Sequence, residues 1–438
     1  PDDRRTPDDR RTPGGPPHDR STHMTAPTPP LPLGEEFIQD AHTVAARLRS
    51  TAPVRFVELP GGFPVWLVTG HAEARAAVTD PRLSSHGVYD RLERMRLGDG
   101  ADTESRFAPE LARNLLNLDP PDHTRLRSLL TKVFTARAVA PLRPRIEAIA
   151  DELLDAMEAD DAAETPGGAG EHRDLLADYA LPLPIRVICE LLGVPFADRD
   201  RFTAWSRTMV AAGTPDEIGA ASLRMAGYLG DLVERKRAHP GEDLLTRLVH
   251  VSEDGDRLSR NELISTALVL LTGGFETTVN LIGSGTLALL RHPDQLALLR
   301  ERPELLPGAV EEFLRYETPN NLSSPRYATE PVELGGVTVP EGHFVMVSWL
   351  AANRDVRFAA PDRLDITRPA AGHLAFGHGI HHCVGAPLAR LEGEIAFGRL
   401  LARFPGLALA AAPENLRWRH STAMHGLEEL PVRLHPAP

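Results

Sequence analysis

Phe376-Gly377-His378-Gly379-Ile380-His381-His382-Cys383-Val384-Gly385 is the stretch that decides how this chain is read. It sets one of only two cysteines in a glycine-punctuated loop. The run Ala386-Pro387-Leu388-Ala389-Arg390-Leu391-Glu392 follows, compatible with a helix. Gly377, Gly379 and Gly385 allow tight or positive-φ turns and let the backbone lie flat against a planar group. Pro387 stands where the first helical turn tolerates proline. Amides at that helix start can point at a thiolate and stabilise its charge. A lone thiolate held this way suits an axial ligand to haem iron, where sulfur donation favours O–O cleavage. Two plainer readings stand beside it. His378, His381, His382 and Cys383 offer zinc ligands, although adjacent His382 and Cys383 would strain a tetrahedral shell. A cysteine is also commonly a small core hydrophobe, which suits Cys189 within Ile185-Arg186-Val187-Ile188-Cys189-Glu190-Leu191-Leu192.

Composition narrows the classes. The 438 residues carry a net charge of −13, which argues against nucleic acid, since phosphate binding needs a basic footprint. Two cysteines far apart in sequence give no disulfide framework and fit a reducing, cytoplasmic setting. The N-terminus repeats Pro1-Asp2-Asp3-Arg4-Arg5-Thr6 as Pro7-Asp8-Asp9-Arg10-Arg11-Thr12. It lacks apolar residues, so residues 1–32 are expected to be a disordered tail. It has no apolar core of a secretory signal, and Met24 is a candidate start. Residues 33–438 are expected to form one domain. The apolar stretch from Leu263 to Leu290 is broken by Gly273-Gly274, Glu276, Thr277, Thr278 and Asn280. It reads as a buried core helix rather than a bilayer span.

The patterning predicts a mainly α fold with small β-sheets. Helices are expected at 38–48, 71–78, 122–134, 145–159, 181–192, 198–210, 220–238, 243–250, 259–290, 293–301, 305–316 and 387–404. Strands are expected at 54–57, 64–69, 332–334, 337–339 and 344–347. A long irregular loop is expected from Leu83 to Leu116, and Arg417-Trp418-Arg419 is expected to pair with Pro431-Val432-Arg433-Leu434. A surface loop is expected at 165–170.

Three constellations accompany the cysteine loop. Gly273-Gly274-Phe275-Glu276-Thr277-Thr278 sits inside the long helix. Each glycine costs about 1 kcal/mol there against alanine. The pair either serves close helix packing or leaves room beside the helix, and Thr277 can bond the carbonyl of Gly273. Glu312-Phe313-Leu314-Arg315 puts an acid and a base on one helix face, either as an exposed pair or as a buried one. Asp119-Pro120-Pro121-Asp122-His123-Thr124-Arg125-Leu126-Arg127 opens a helix with His123 and Arg127 on a shared face.

The cysteine loop resembles the haem-binding loop of the cytochrome P450 family, the haem-thiolate monooxygenases, whose pattern F-G-x-G-x-H-x-C-x-G is met at every fixed position. Gly273-Gly274-Phe275-Glu276-Thr277 resembles that family's oxygen-activation motif, and Glu312-x-x-Arg315 with the later Arg363 resembles its charge network behind the haem. The resemblance runs from about Leu33 to the end. It implies the family's fold, with haem b between the long helix and the cysteine loop. It implies that Cys383 ligates iron, within a loop framed by Phe376, Gly377 and Gly385. It implies that His123, Arg127, Arg326 and His381 hold the propionates. By the same likeness Gly273 and Gly274 open room for dioxygen, Glu276 and Thr277 relay protons, and Glu312, Arg315 and Arg363 form a buried network. Candidate pocket residues are Leu115 or Leu116, Val269, Thr272, Gly273, Leu322 and Met424, with a lid over Arg207 to Pro215. The pieces around Thr277 and His373 resemble soluble bacterial members that oxidise polyketides and other secondary metabolites.

The activity implied is hydroxylation or epoxidation of a largely apolar small molecule with dioxygen and two electrons. No flavin or iron–sulfur motif is present. Electrons are therefore expected from NAD(P)H through a ferredoxin and its reductase, with Arg125, Lys132, Arg137 and Arg390 as candidate docking bases on a monomeric enzyme. A haem-thiolate peroxygenase, or a non-catalytic haem sensor, would not need Glu276 and Thr277.

Overall fold

The computed structural model describes residues 29–88, 90–92, 108–164, 172–209, 214–253 and 255–435. The tail to residue 28, residues 89 and 93–107 of the irregular loop, the 165–170 loop and the centre of the expected lid lie outside these. The fold starts earlier than residue 33, because Leu31–Pro32 (β1) is a strand paired with Val54–Leu59 (β2).

The longer helices are α1 Ala41–Thr51, α2 His71–Thr79, α3 Asp122–Val133, α4 Arg143–Glu164, α5 Pro182–Leu192 and α6 Arg199–Arg207. They continue as α7 Pro215–Ala238, α8 Leu244–His250, α9 Arg260–Leu290, α10 Pro293–Glu301, α11 Leu306–Tyr316 and α12 Ala386–Arg403. The helix expected at 38–48 is broken at Asp40, whose backbone leaves the helical region between Glu36–Gln39 and α1. The molecule is mainly α with small sheets, as the patterning predicts.

α9 is the axis of the fold. Ser259 and Glu262 form a reciprocal capping box at its start. Most of the helix is buried all round, which is the signature of a central core helix. It is the one helix among the described residues long and apolar enough to cross a membrane, yet 72% of that apolar window is buried inside the protein. It packs on α5, α7, α11 and α12. One apolar cluster joins Phe275 and Val279 of α9 to Ile188 and Cys189 of α5 and to Leu388 and Leu391 of α12. Burial pushes the Cys189 thiol up to about 12, so it is an inert core side chain.

Further strands are β3 Phe63–Val68, β4 Leu83–Ser84, β5 Arg326–Ala328 and β6 Phe344–Val347. The main sheet has six strands in the order β1-β2-β3-β6-β5-β4. β2 and β3 form an antiparallel hairpin in which Val54 faces Val68, and β6 runs parallel to β3. The C-terminal pairing differs from expectation. Pro431–Arg433 pairs with Ala408–Leu409 and Arg173–Asp174. Arg417-Trp418-Arg419 folds back on Gly426-Leu427-Glu428 instead, with a bridge between Trp418 and Leu427.

Candidate active site

The cysteine loop is built by its glycines and closed by backbone bonds. Gly377 and Gly379 take φ of 71° and 73°, where a side chain would be strained. Gly385 does not need that freedom; its φ is −79°. A Cβ at Gly385 would lie 3.7 Å from Cys383 Sγ, in ordinary contact with the sulfur. The Cys383 amide donates to the Phe376 carbonyl at 2.8 Å, and Arg390 lies over the Phe376 ring. α12 begins at Ala386 with Pro387 in its first turn. Burial pushes the Cys383 thiol up, while the Gly385 amide, Arg127, the Ala386 amide and Arg390 all pull it down. Val384 packs against the same apolar cluster as Phe275 of α9.

Next to this loop lies a group of donors without an anion. The His123 and His381 rings sit 4.4 Å apart. Both ring nitrogens of His123, and Nε2 of His381, are buried and bond to nothing in the protein. Burial, then Arg326 and His123, pull the His381 imidazole down to about 3. Burial, then Arg127, lowers His123. Burial also lowers Arg127 and Arg326, opposed by Cys383 and Asp119 respectively. Asp119 is itself engaged by Ser84 and the Ser85 amide. Four donors, His123 buried and Arg127, Arg326 and His381 half-buried, beside an Asp119 that is already engaged, match an anionic ligand with two carboxylates, as haem b carries. The residues present therefore fit haem. They do not fit zinc. Among the described residues the one group of His, Cys and acids whose ligand atoms all lie within 4.8 Å of one another is His42, Glu317 and His425, away from the cysteine loop. There the Arg354 guanidinium already lies 3.4 Å from Glu317 Oε1.

The Glu312–Arg315 pair is fully buried and bidentate, with Arg315 Nε and Nη2 donating to the two carboxylate oxygens at 2.7 and 2.8 Å. Arg315 also donates to the carbonyls of Asn353 and Pro361. The expected third member is corrected. Arg363 is exposed and contributes only its backbone carbonyl, to Arg315 and to Arg368. Arg368 supplies the second cation, with Nε 3.2 Å from Glu312 Oε1. Asn353 passes the network on, accepting from the Leu374 amide just before the cysteine loop. Beside it Glu311 accepts from Arg390 at 2.6 Å and from His373 at 3.0 Å. Burial pushes the Glu311 carboxyl up, but these bonds outweigh it and hold it at about 2.

On α9 the two glycines have different jobs. A Cβ at Gly273 would meet nothing within 4 Å, whereas one at Gly274 would come 2.9 Å from Ile188 Cδ1. Gly273 therefore borders open space, and Gly274 serves close packing on α5 rather than room for a ligand. Thr277 Oγ1 donates to the Gly273 carbonyl at 2.8 Å. Glu276 is buried and accepts from Arg419 at 2.9 Å. Arg419 is a partner that the sequence reading missed.

Among the pocket candidates, Val269, Thr272 and Gly273 lie on one helix face by their spacing. Leu322 and Met424 come from neighbouring segments, since the Leu322 amide donates to the Ala423 carbonyl. Leu115 is buried in the core cluster, while Leu116 is 45% exposed. Two of the candidate docking bases are already engaged. Arg125 bonds Asp256 and Glu262, and Arg390 bonds Glu311.

A cysteine just before a helix start, packed through Val384 against the core helix and set beside unpaired imidazole nitrogens, is the arrangement a haem-thiolate protein requires. Comparison with known proteins agrees. The family model described as Cytochrome P450 matches residues 232–408. Cytochrome P450 107B1 of Saccharopolyspora erythraea is 50% identical over 405 residues, covering 92% of this chain and 97% of that one. The 6-deoxyerythronolide B hydroxylase of the same organism is 46% identical, covering 91% and 97%. The solved structure of the tirandamycin C-bound P450 monooxygenase TamI is 48% identical, with a TM-score of 0.83 over 93% of this chain and 100% of that one. The chain belongs to the cytochrome P450 family and is a haem-dependent monooxygenase.

Proposed function

We propose that this enzyme hydroxylates or epoxidises a sizeable, largely apolar secondary metabolite of polyketide or macrolide type. The carrying observation is the Cys383 loop, where a buried sulfur accepts from the Gly385 and Ala386 amides at a helix start. Haem held by Cys383, with its carboxylates on His123, Arg127, Arg326 and His381, supplies the dioxygen activation. The chain's own residues supply the rest. Gly273 leaves space on the oxygen side, Thr277 offers a hydroxyl there, and Glu276 one position before it moves the proton. Together Glu276 and Thr277 favour dioxygen over peroxide as oxidant.

The substrate class is supported by the 6-deoxyerythronolide B hydroxylase and the tirandamycin C-bound TamI, and by the aliphatic side chains of Leu115, Leu116, Val269, Leu322 and Met424. Electrons are inferred to come from NAD(P)H through a ferredoxin and its reductase. A cytoplasmic enzyme is inferred, with both cysteines free.

The test is spectroscopic. The reduced protein with carbon monoxide is expected to show the thiolate-ligated band. Cys383→Ser loses it and Cys189→Ser keeps it; if both variants retain the band, the reading is wrong. A spectral-shift screen of macrolide and polyketide scaffolds, with product analysis of hits, then tests the substrate class. Hits confined to other scaffolds refute that part.

A further inference from the structure

The Glu312–Arg315 and Glu276–Arg419 pairs are built differently. In the first, Glu312 and Arg315 close on each other through both oxygens, and Arg368 and the Asp365 amide bond the carboxylate as well. In the second, Glu276 and Arg419 meet end-on. Glu276 Oε2 accepts from Arg419 Nη1 at 2.9 Å, while Glu276 Oε1 is buried and bonds to nothing in the protein. The Glu276 side chain is only 3% exposed, so bulk solvent does not supply the missing bond. A pair made only for stability would close both oxygens, because an unsatisfied buried acceptor is costly.

The arginine is placed with care. Its other terminal nitrogen bonds Asn280 Oδ1, one helical turn beyond Glu276 on α9. Asn280 is oriented in turn by its own bond to the Pro319 carbonyl at 3.2 Å. The Arg419 amide donates to the Gly426 carbonyl at 2.8 Å, which sets the base of the side chain. A Cβ at Gly426 would lie 2.0 Å from Asn280 Oδ1 and 2.7 Å from Arg419 Nη2. Gly426 is not among the positive-φ glycines, so close approach rather than backbone conformation demands glycine there.

We propose that Arg419 is a positioning residue for Glu276: it clamps Oε2 and leaves Oε1 as the one oxygen able to take and give the proton. This rests on the relay role proposed for Glu276 and Thr277. Among the described residues, Arg419 is the one ionised group bonded to Glu276. The carboxylate therefore depends on the C-terminal hairpin for its one cation partner and for its orientation. A residue outside the oxygen-side helix thus fixes which atom of that helix works.

The test uses haem-loaded protein and the variants E276Q, R419M, R419K, G426A and E276Q/R419M. G426A displaces the guanidinium without removing its charge, and R419K keeps a cation. The first readout needs no substrate: melting temperature. In R419M the buried Glu276 loses the one cation bonded to it, so R419M is expected to melt below E276Q/R419M, where no partner is stranded. The second readout is product formed per reduced nicotinamide consumed, with 6-deoxyerythronolide B as probe substrate. R419M and G426A are expected to lose coupling on the order of tenfold, R419K less, and the double variant no more than E276Q alone. A melting temperature of R419M no lower than that of E276Q/R419M overturns the proposal. So does wild-type coupling in R419M and G426A when E276Q is crippled, which would leave Arg419 as a hairpin tie only. Full coupling in E276Q instead overturns the relay reading itself, and the role of Arg419 falls with it.

Discussion

Arg368→Ala and Arg363→Ala separate the network seen in the structure from the one its sequence suggests. Arg368 is 8% exposed on its side chain, and its Nε lies 3.2 Å from Glu312 Oε1. Its Nη2 donates to the carbonyls of Ala360 and Arg363 at 3.2 and 3.1 Å, and its Nη1 bonds the Ala359 carbonyl. Truncation removes one charge-assisted bond, at about 1.5–3 kcal/mol. It also strands carbonyls at the edge of the core, where water recovers part of their bonding. A loss of about 2–4 kcal/mol is expected, a large fraction of the 5–15 kcal/mol typical of a folded domain. Arg363→Ala keeps the one atom that matters, because its contribution is a backbone oxygen, and its side chain is exposed. Its effect is expected to stay within about 0.5 kcal/mol. The assay is urea unfolding of holoprotein followed by circular dichroism, with the carbon monoxide band as a check on thiolate ligation. Equal losses, or a larger loss at Arg363, would refute the assignment of the second cation to Arg368.

Two further outcomes follow from the site. Thr277→Ala is expected to keep haem and substrate binding while nicotinamide consumption continues, peroxide rises and product falls by roughly 10²-fold; an unchanged ratio of product to electrons would show that protons arrive by another route. Glu311, held at about 2 by His373 and Arg390 against the lift of burial, contributes stability that is present above the ordinary carboxylate value and is lost as pH falls toward 2. Glu311→Gln should therefore remove about 3 kcal/mol at neutral pH and flatten the acid limb of the stability curve between about pH 4.5 and 2; an unchanged acid limb would count against the Glu311 bonds.

What was legible in the sequence was local. The helix from 260 to 290 showed through its apolar length and the Ser259–Glu262 cap. The cysteine loop showed through spacing alone, and Glu312 with Arg315 through one helical turn. What failed depended on contacts between distant segments. Arg363 and Arg368 sit five residues apart in an irregular stretch with no periodicity to tell which side chain turns inward. Gly273 and Gly274 are neighbours in sequence but about 100° apart around the helix, so one faces space and the other Ile188. The short strand around Trp418 could pair with either of two later runs, and nothing in three residues fixes its register. Arg419 was hidden by that error, because its meaning appears only once Gly426 lies opposite it.

The turn after Arg419 is held at both ends. At one end is the clamp on Glu276; at the other His425 donates its amide to the Pro319 carbonyl, approaches Glu317 at 3.0 Å and stacks against Trp418 with ring centroids 3.9 Å apart. Glu317 also takes His42 of α1, so the same carboxylate ties an early helix to the last turn of the chain. Between the anchors the Met424 amide is bonded to Ser421 Oγ, and the Ala423 carbonyl accepts from the Asn321 amide. The span is therefore a ruler of fixed length. Side chains at Thr422, Ala423 and Met424 can be exchanged without changing its length. An insertion or deletion there would unseat one anchor or the other, either the clamp on Glu276 or the contacts of His425.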